Sequence, residues 1–285
     1  GGIVILRIED HDHRRRREIY ENSIIEDLIW LGFIPDQGLE NGKPLQSFRQ
    51  STAGDVYQNA FLKLANKDLL YGCKCSRKDI ASSFEQTGRI AGGEIPYSNH
   101  CRDKNIPAGI TGQGVRLRLP DENVCFTCAV HGKIDSNPFF DYGDLLIRDR
   151  HGDWTYPFAC VVDDERMGVN LVIRGKDILP VTGRQLALAK LLEYNTNILY
   201  YHHPLIYGND GKKLSKSEGA MRIAKKREDG SRPEFLIGET AYRAGLIEKQ
   251  MQLSVSDLPD IFEKIKIETE KTKHLTEAVL KNEKQ

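Results

Sequence analysis

The chain has 285 residues, 39% of them hydrophobic, which is enough for one large domain or two ordinary ones with a real core. With 41 basic and 41 acidic residues the formal charge is zero, so a global basic field is excluded and any nucleic-acid contact falls to local patches: Arg14 to Arg17, Lys212 to Lys216 or Lys225 to Arg227. No stretch approaches the roughly 20 apolar residues of a membrane span, and the first residues lack a basic, cleavable leader, so the cytoplasm is the expected compartment, with no membrane partner. Six cysteines in such a chain point to metal ligands or plain thiols over disulfides.

In chain order, Ile3-Val4-Ile5-Leu6 ends at Arg7 and Glu9-Asp10 and reads as a buried parallel strand. The paired Gly1-Gly2 before it resembles the exit from a helix, so a further segment is expected upstream. Ile19, Ile24-Ile25, Leu28-Ile29 and Leu31 predict a helix over 18 to 32, closed by Gly32. A second helix is predicted from Gly54 to Leu70, with Val56, Ala60-Phe61, Leu64-Ala65 and Leu69-Leu70 on one face. Residues 71 to 112 change character and suggest an insert organised by something other than a core. Val115 to Leu119 alternates as a half-buried strand does, and 145–148, 158–162 and 171–174 also read as strands. An amphipathic helix is predicted over 183 to 194 and a buried strand over 198 to 203. From Ala220 the pattern is helical and more polar.

Two groups of residues carry chemistry. Asn209-Asp210-Gly211 leads into Lys212-Lys-Leu-Ser-Lys-Ser-Glu-Gly219, which packs three lysines and two hydroxyls into six residues. Such a loop is either a solvated basic turn or a polyphosphate cradle, with Gly211 and Gly219 allowing the turns that aim the donors. Its position after a strand is where an α/β architecture places a phosphate loop. The second group is Cys73-x-Cys75 followed by Tyr97-Ser-Asn-His100-Cys101. Two thiolates and a third from a distant loop can share a tetrahedral ion, and His100 is the ordinary chemical choice for the fourth ligand. Cys125-Phe-Thr-Cys128 is a competing pair that reads as buried strand thiols, and Cys160 reads as core.

The lysine loop resembles the Lys-Met-Ser-Lys-Ser signature of class I aminoacyl-tRNA synthetases, with Leu214 in place of Met. Leu6-Arg-Ile-Glu-Asp-His-Asp12, Thr155-Tyr-Pro-Phe-Ala-Cys-Val-Val-Asp-Asp164 and Leu171-Val-Ile-Arg-Gly-Lys-Asp177 with Gly183-Arg-Gln185 are similar to segments of the glutamyl branch, in the same order. The resemblance implies an α/β fold: a Rossmann-like catalytic domain in two parts (1–72 and 151–220), a zinc-binding insert (73–150) and a short helical C-terminal region (221–285) without an anticodon-binding domain. It also implies ATP-dependent activation of L-glutamate. Glu9 would take the substrate ammonium, Arg174 a carboxylate and Tyr156 a further substrate contact. Lys216 would be the main catalytic cation on the phosphates, with Lys213, Leu214, Ser215 and Ser217 completing the ATP loop. Mg²⁺ would screen the triphosphate.

Within that branch, Cys-x-Cys followed by Tyr-x-x-x-Cys resembles the insert of glutamyl-Q tRNA(Asp) synthetases. There a structural Zn²⁺ would sit on Cys73, Cys75, Tyr97 and Cys101. With the chain ending at Gln285, 68 residues follow Ser217, too few for a helical anticodon-binding region. The resemblance therefore implies transfer of glutamate to the queuosine base of tRNA(Asp) by a monomer. The alternatives are a truncated glutamyl-tRNA synthetase charging tRNA(Glu), or a non-catalytic tRNA-binding remnant. The family's Arg-Phe-Ala-Pro and His-Ile-Gly-His-like motifs do not occur in these residues. A missing segment of roughly 30 residues, about one strand-plus-helix unit, is expected before Gly1, and the chain as given is expected to be poorly active or inactive.

Overall fold

The structure, a computed structural model, describes residues 2–12, 17–85, 95–207 and 223–263. The main elements begin with α1 (Glu18–Leu31), α2 (Gly54–Ala65), β1 (Leu70–Cys73), α3 (Arg77–Glu85), β2 (Gly114–Leu117), β3 (Val124–Cys128) and β4 (Gly132–Ser136). They continue with α4 (Pro138–Tyr142), β5 (Leu145–Arg148), α5 (Tyr156–Arg166), β6 (Leu171–Gly175), α6 (Leu179–Leu192), β7 (Leu199–His203), α7 (Ile223–Glu228) and α8 (Pro233–Arg243). No helix among the described residues is long and apolar enough to cross a membrane. The chain divides into two compact units, one of Gly1–Leu6, Arg17–Lys43 and Leu205–Gln285, the other of Arg7–Arg16 and Pro44–Pro204.

The larger unit is α/β. A three-stranded antiparallel sheet runs β1-β2-β5, with Tyr71 opposite Arg116 and Leu117 opposite Leu145. A four-stranded mixed sheet runs β4-β3-β7-β6; β3 and β4 form an antiparallel hairpin, and β6 and β3 each pair with β7 in parallel. Parallel β6 and β7 are joined through α6, the crossover that a Rossmann-like sheet uses. The core contains Tyr57, Leu64, Leu117, Ile147, Phe158, Leu188 and Leu192, with Trp154 stacked on Phe158 at 5.0 Å.

Several sequence expectations are corrected here. Residues 158–162 form the middle of α5, not a strand. Pro157 sits in the first turn, where its fixed φ suits a helix start, and residues 158 to 163 are all buried, so no polar face marks the helical period. β2 is buried along its whole length instead of alternating, because Arg116 finds partners inside. β7 alternates instead of being buried throughout, with Leu199 46% exposed. The second helix stops at Ala65: the chain turns through Asp68 at φ 53°, and Leu70 enters β1.

The smaller unit contains α1, α7 and α8. α1 ends as its glycine foretold: Gly32 adopts φ 85°, and the N–H groups of Gly32 and Phe33 reach the carbonyls of Ile29 and Leu28. Residues 3–6 do not form a buried strand. Ile3 and Val4 are 70% and 62% exposed, and Ile5 makes only an isolated parallel bridge to Gln37. The local core gathers Ile237, Ala241 and Leu253 with Leu31, Leu246 and Val255. Gly238 lies inside α8, where a methyl group would run into the Met251 carbonyl. Gly→Ala in a helix ordinarily stabilises by about 0.5–1 kcal/mol; Gly238→Ala is expected to do the reverse, costing about 1–3 kcal/mol as an overpacked site does. A lowered denaturant midpoint with an unchanged slope would show it.

Candidate active site and thiol cluster

Arg7 organises the polar centre of the larger unit. Its Nη1 donates to Asp164 Oδ1 at 2.6 Å and its Nη2 to Glu9 Oε1 at 3.0 Å, and the same Nη2 lies 3.6 Å from Cys160 Sγ. Cys160 in turn points its thiol at Glu9 Oε1, 3.6 Å away. The expectation that Cys160 is core is met by its burial, and its polar surroundings add to it. It is buried, yet one turn along α5 from Tyr156 its sulfur faces charged groups and the Tyr156 hydroxyl. Burial, followed by the Glu9 charge, pushes the Cys160 thiol well above its ordinary range, so it stays protonated. The Tyr156 phenol is likewise raised, by burial first and then by Cys160 and Glu9, and remains a neutral hydroxyl. Asp164 is held above the usual carboxylate value by burial, with Arg7 acting in opposition.

Glu9 keeps its side chain 39% exposed and Tyr156 is 37% exposed, so this cluster opens outward. Beneath it, Asp163 is fully buried and satisfied by Gln50 Nε2, Tyr57 Oη and Arg166 Nη2, each at 2.8 Å. That network fixes α5 against α2 and hence fixes where Tyr156 and Cys160 point.

Arg174, near the end of β6, is half-buried and donates three hydrogen bonds: Nε to His202 Nε2 at 3.2 Å, Nη1 to Gln185 Oε1 at 2.8 Å and Nη2 to Thr182 Oγ1 at 2.6 Å. Its charge acts on both Tyr156 and Asp164, so it belongs to the same electrostatic neighbourhood as Glu9. His202 is fully buried, and burial followed by the Arg174 charge lowers its pKa to about 4. Arg7, Cys160, Asp164, Thr182, Gln185 and His202 are functional candidates that residue-by-residue reading did not single out. Arg7, Cys160, Asp164 and Gln185 lie inside the motifs, whereas Thr182, just before Gly183, and His202, in a strand run, offered no separate signal.

The lysine loop over 212–219, and with it Lys213, Leu214, Ser215, Lys216 and Ser217, lies outside the described residues. So do Arg14, Arg15 and Arg16. Of the other basic run, Arg227 pairs with Glu26 at 2.9 Å and Asp27 at 3.6 Å.

The sulfur atoms of Cys73, Cys75 and Cys101 lie within 4.8 Å of one another. The Tyr97 hydroxyl is 3.5 Å from Cys73 Sγ and accepts the Cys101 N–H at 2.9 Å. His100 is exposed, with Nε2 2.5 Å from Lys104 Nζ, so the oxygen and not the imidazole accompanies the thiols. Cys125 is exposed, while Cys128 is buried beside His202, so that pair stands apart. Burial and then Cys101 push the Cys75 thiol up to about 12; at Cys101 burial is outweighed by hydrogen bonds from the Lys74 N–H and the Tyr97 hydroxyl, and its pKa falls. Three thiols and a phenol oxygen are a donor set that fits a tetrahedral, thiolate-preferring cation such as Zn²⁺. Arg116 closes the cluster from one side, with Nε 3.3 Å from Cys73 Sγ and its guanidinium 3.5 Å over the Tyr97 ring.

A family model for the catalytic domain of class I tRNA synthetases (E and Q) matches residues 1–282. The chain is 33% identical over 276 residues to a glutamyl-Q tRNA(Asp) synthetase of Symbiobacterium thermophilum, covering 95% of this chain and 85% of that protein. It is 37% identical over 228 residues to a glutamyl-Q tRNA(Asp) synthetase of Geobacter sulfurreducens, covering 80% and 69%. A glutamate–tRNA ligase of Streptomyces coelicolor is 36% identical over 249 residues, but there the match covers 83% of this chain and only 49% of the relative. Among solved structures, a glutamate tRNA ligase from Elizabethkingia meningosepticum in complex with its amino acid superposes with a TM-score of 0.68 at 27% identity, over 85% of this chain and 54% of that one. The chain thus spans most of the glutamyl-Q relatives and about half of the glutamate–tRNA ligases.

Proposed function

The chain belongs to the class I tRNA synthetases of the E and Q type, catalytic domain, and from that premise we propose that it activates L-glutamate with ATP and transfers it to the queuosine base of tRNA(Asp). The observation that carries the glutamate reading is the mixed charge of one neighbourhood. Glu9 offers an anion for an α-ammonium, Arg174, whose bonded acceptors are all uncharged, offers a guanidinium for a carboxylate, and the Tyr156 phenol adds a neutral donor. A dicarboxylic amino acid needs that complement, since a buried carboxylate without a fixed donor is costly.

In the activation step one oxygen of the substrate α-carboxylate attacks the α-phosphorus of ATP, and the bond to the pyrophosphate oxygen breaks. No side-chain nucleophile is required, so the protein contributes position and charge. Glu9 and Arg174 fix the two ends of glutamate, and Lys216, in the loop outside the described residues, takes the role of phosphate cation with Lys213, Ser215 and Ser217 around it. Mg²⁺ travels with ATP. Cys73, Cys75, Cys101 and Tyr97 would hold Zn²⁺ as a structural ion; four protein ligands leave it no open position.

The preference for tRNA(Asp) draws on the two relatives that carry the glutamyl-Q tRNA(Asp) synthetase name, 33% and 37% identical to this chain. The second reading, charging of tRNA(Glu) at its acceptor end, draws on the several relatives that carry that name. A non-catalytic tRNA-binding remnant is the third. Pyrophosphate exchange by the full-length protein with glutamate separates them. We expect exchange without tRNA, followed by labelling of tRNA(Asp) that contains queuosine and not of tRNA(Asp) that lacks it. Exchange dependent on tRNA(Glu) would favour the second reading, and a folded protein with no exchange the third.

A further inference from the structure

Arg174 is held by three acceptors, and none of them is charged. A guanidinium has five N–H donors in a rigid fork. His202 Nε2, Gln185 Oε1 and Thr182 Oγ1 engage one each on Nε, Nη1 and Nη2, at 3.2, 2.8 and 2.6 Å. That leaves one free N–H on each terminal nitrogen. Had a carboxylate done the holding, the arginine's charge would already be paired, and a substrate carboxylate would have to compete for it.

The hydrogen-bond pattern fixes the state of His202. Its Nε2 accepts from Arg174 Nε and also lies 3.1 Å from Thr182 Oγ1, whose own oxygen accepts from Arg174 Nη2, so the threonine proton points at Nε2. Nε2 is thus an acceptor, and the ring proton sits on Nδ1, which faces Cys128 Sγ at 3.4 Å. Every polar atom of this triangle has a partner, and His202 and Thr182 have no exposed surface. A protonated ring could not accept from the guanidinium, and burial beside Arg174 disfavours that form.

We propose that His202 is a positioning residue: as a neutral Nδ1–H imidazole braced on Cys128, it orients Arg174 while leaving the guanidinium charge available to a substrate carboxylate. This rests on the reading of Arg174 as a carboxylate-binding residue. It also gives a place in the site to Cys128, which the strand pattern had left as an ordinary buried thiol.

The test uses two amides that divide the roles of the imidazole. In His202→Asn the amide nitrogen can keep the contact to Cys128, but the side chain is too short to reach Arg174. In His202→Gln the amide oxygen reaches the Nε2 position. In pyrophosphate exchange by the full-length protein, His202→Asn is expected to raise the KM for glutamate about tenfold with the KM for ATP unchanged, and His202→Gln to recover most of that loss. Thr182→Val, which removes a second brace, should raise the glutamate KM in the same direction, and it reports separately should the asparagine variant not fold. Wild-type glutamate KM in folded His202→Asn and Thr182→Val would overturn the proposal. So would equal losses in the asparagine and glutamine variants for both substrates, which would mark a purely structural residue. Wild-type protein without glutamate-dependent exchange would instead bring down the glutamate reading itself, and this proposal with it.

Discussion

Arg174→Ala is expected to raise the KM for glutamate on the order of 100-fold in pyrophosphate exchange, with the KM for ATP little changed. The magnitude follows from losing charge-assisted hydrogen bonds to a carboxylate in a half-buried site, about 2–3 kcal/mol, at 1.4 kcal/mol per tenfold. A second cost lands on the protein. His202, Thr182 and Gln185 each lose the donor they now share, and as buried polar groups they need another. Denaturant unfolding of the variant therefore has to accompany the kinetics. Arg174→Lys separates the two contributions: it keeps a positive charge but cannot reach three acceptors in fixed directions, so the lysine should recover little of the affinity. Unchanged glutamate KM in a folded Arg174→Ala protein would remove this residue from the substrate site.

What the sequence made legible depended on whether the deciding contact was local. The end of α1 was readable because Gly32 itself takes φ 85° and makes the capping bonds. The strands at 145–148 and 171–174 were readable because their neighbours in the chain are turns and charged residues. α5 was not, since what distinguishes it is burial on every side, a property of the surrounding α2, α6 and sheet and not of residues 158–162. Arg116 was taken as the polar member of an alternating strand. Its place inside is set by Cys73, Tyr97 and the Asp144 carbonyl, which come from three other segments. The same limit applied to Cys160: an apolar run predicts burial, which it has, but not which groups its sulfur meets.

The candidate site shows this asymmetry again. The motifs brought Glu9, Tyr156 and Arg174 forward as types suited to a dicarboxylic amino acid. Of the groups beside them, Arg7 next to Glu9 and Cys160 next to Tyr156 are near in the chain, but His202 lies 28 residues from Arg174, and the contacts that bring Cys160 to Arg7 and Glu9 span 153 and 151 residues. At the thiol cluster, chemistry alone preferred His100, since imidazole is a commoner ligand than phenol. No local pattern states that His100 faces Lys104 at the surface while Tyr97 turns its oxygen to the sulfurs.

Replacing Cys73 and Cys75 together by serine is expected to abolish stoichiometric zinc and to unfold the segment around it. The apolar cluster there is small: Tyr71, Cys73, Tyr97 and Cys101, with Cys75, Ile80 and Ile106 at its edge. Four of those seven residues are the ligand set itself, and structural zinc sites supply about 10–16 kcal/mol in small peptides at neutral pH. Hydrogen exchange should locate the loss: the Gly72 amide, which donates to Ile106 at 2.8 Å, and the Cys101 amide, which donates to Tyr97, should lose protection, while those of β6 and β7 should keep it. Zinc retained at full stoichiometry by the double variant would place the ion elsewhere. Charge makes the site testable without touching a ligand. Zn²⁺ with three thiolates and a neutral phenol carries a net charge of −1, which is costly to bury, and the Arg116 guanidinium lies against both Cys73 and the Tyr97 ring. Groups that contact metal ligands in this way commonly govern affinity by about 10–100-fold. Arg116→Met should therefore weaken zinc by at least tenfold in chelator competition while all four donors remain, and an unchanged affinity would show that the thiolate charge is balanced by something other than Arg116.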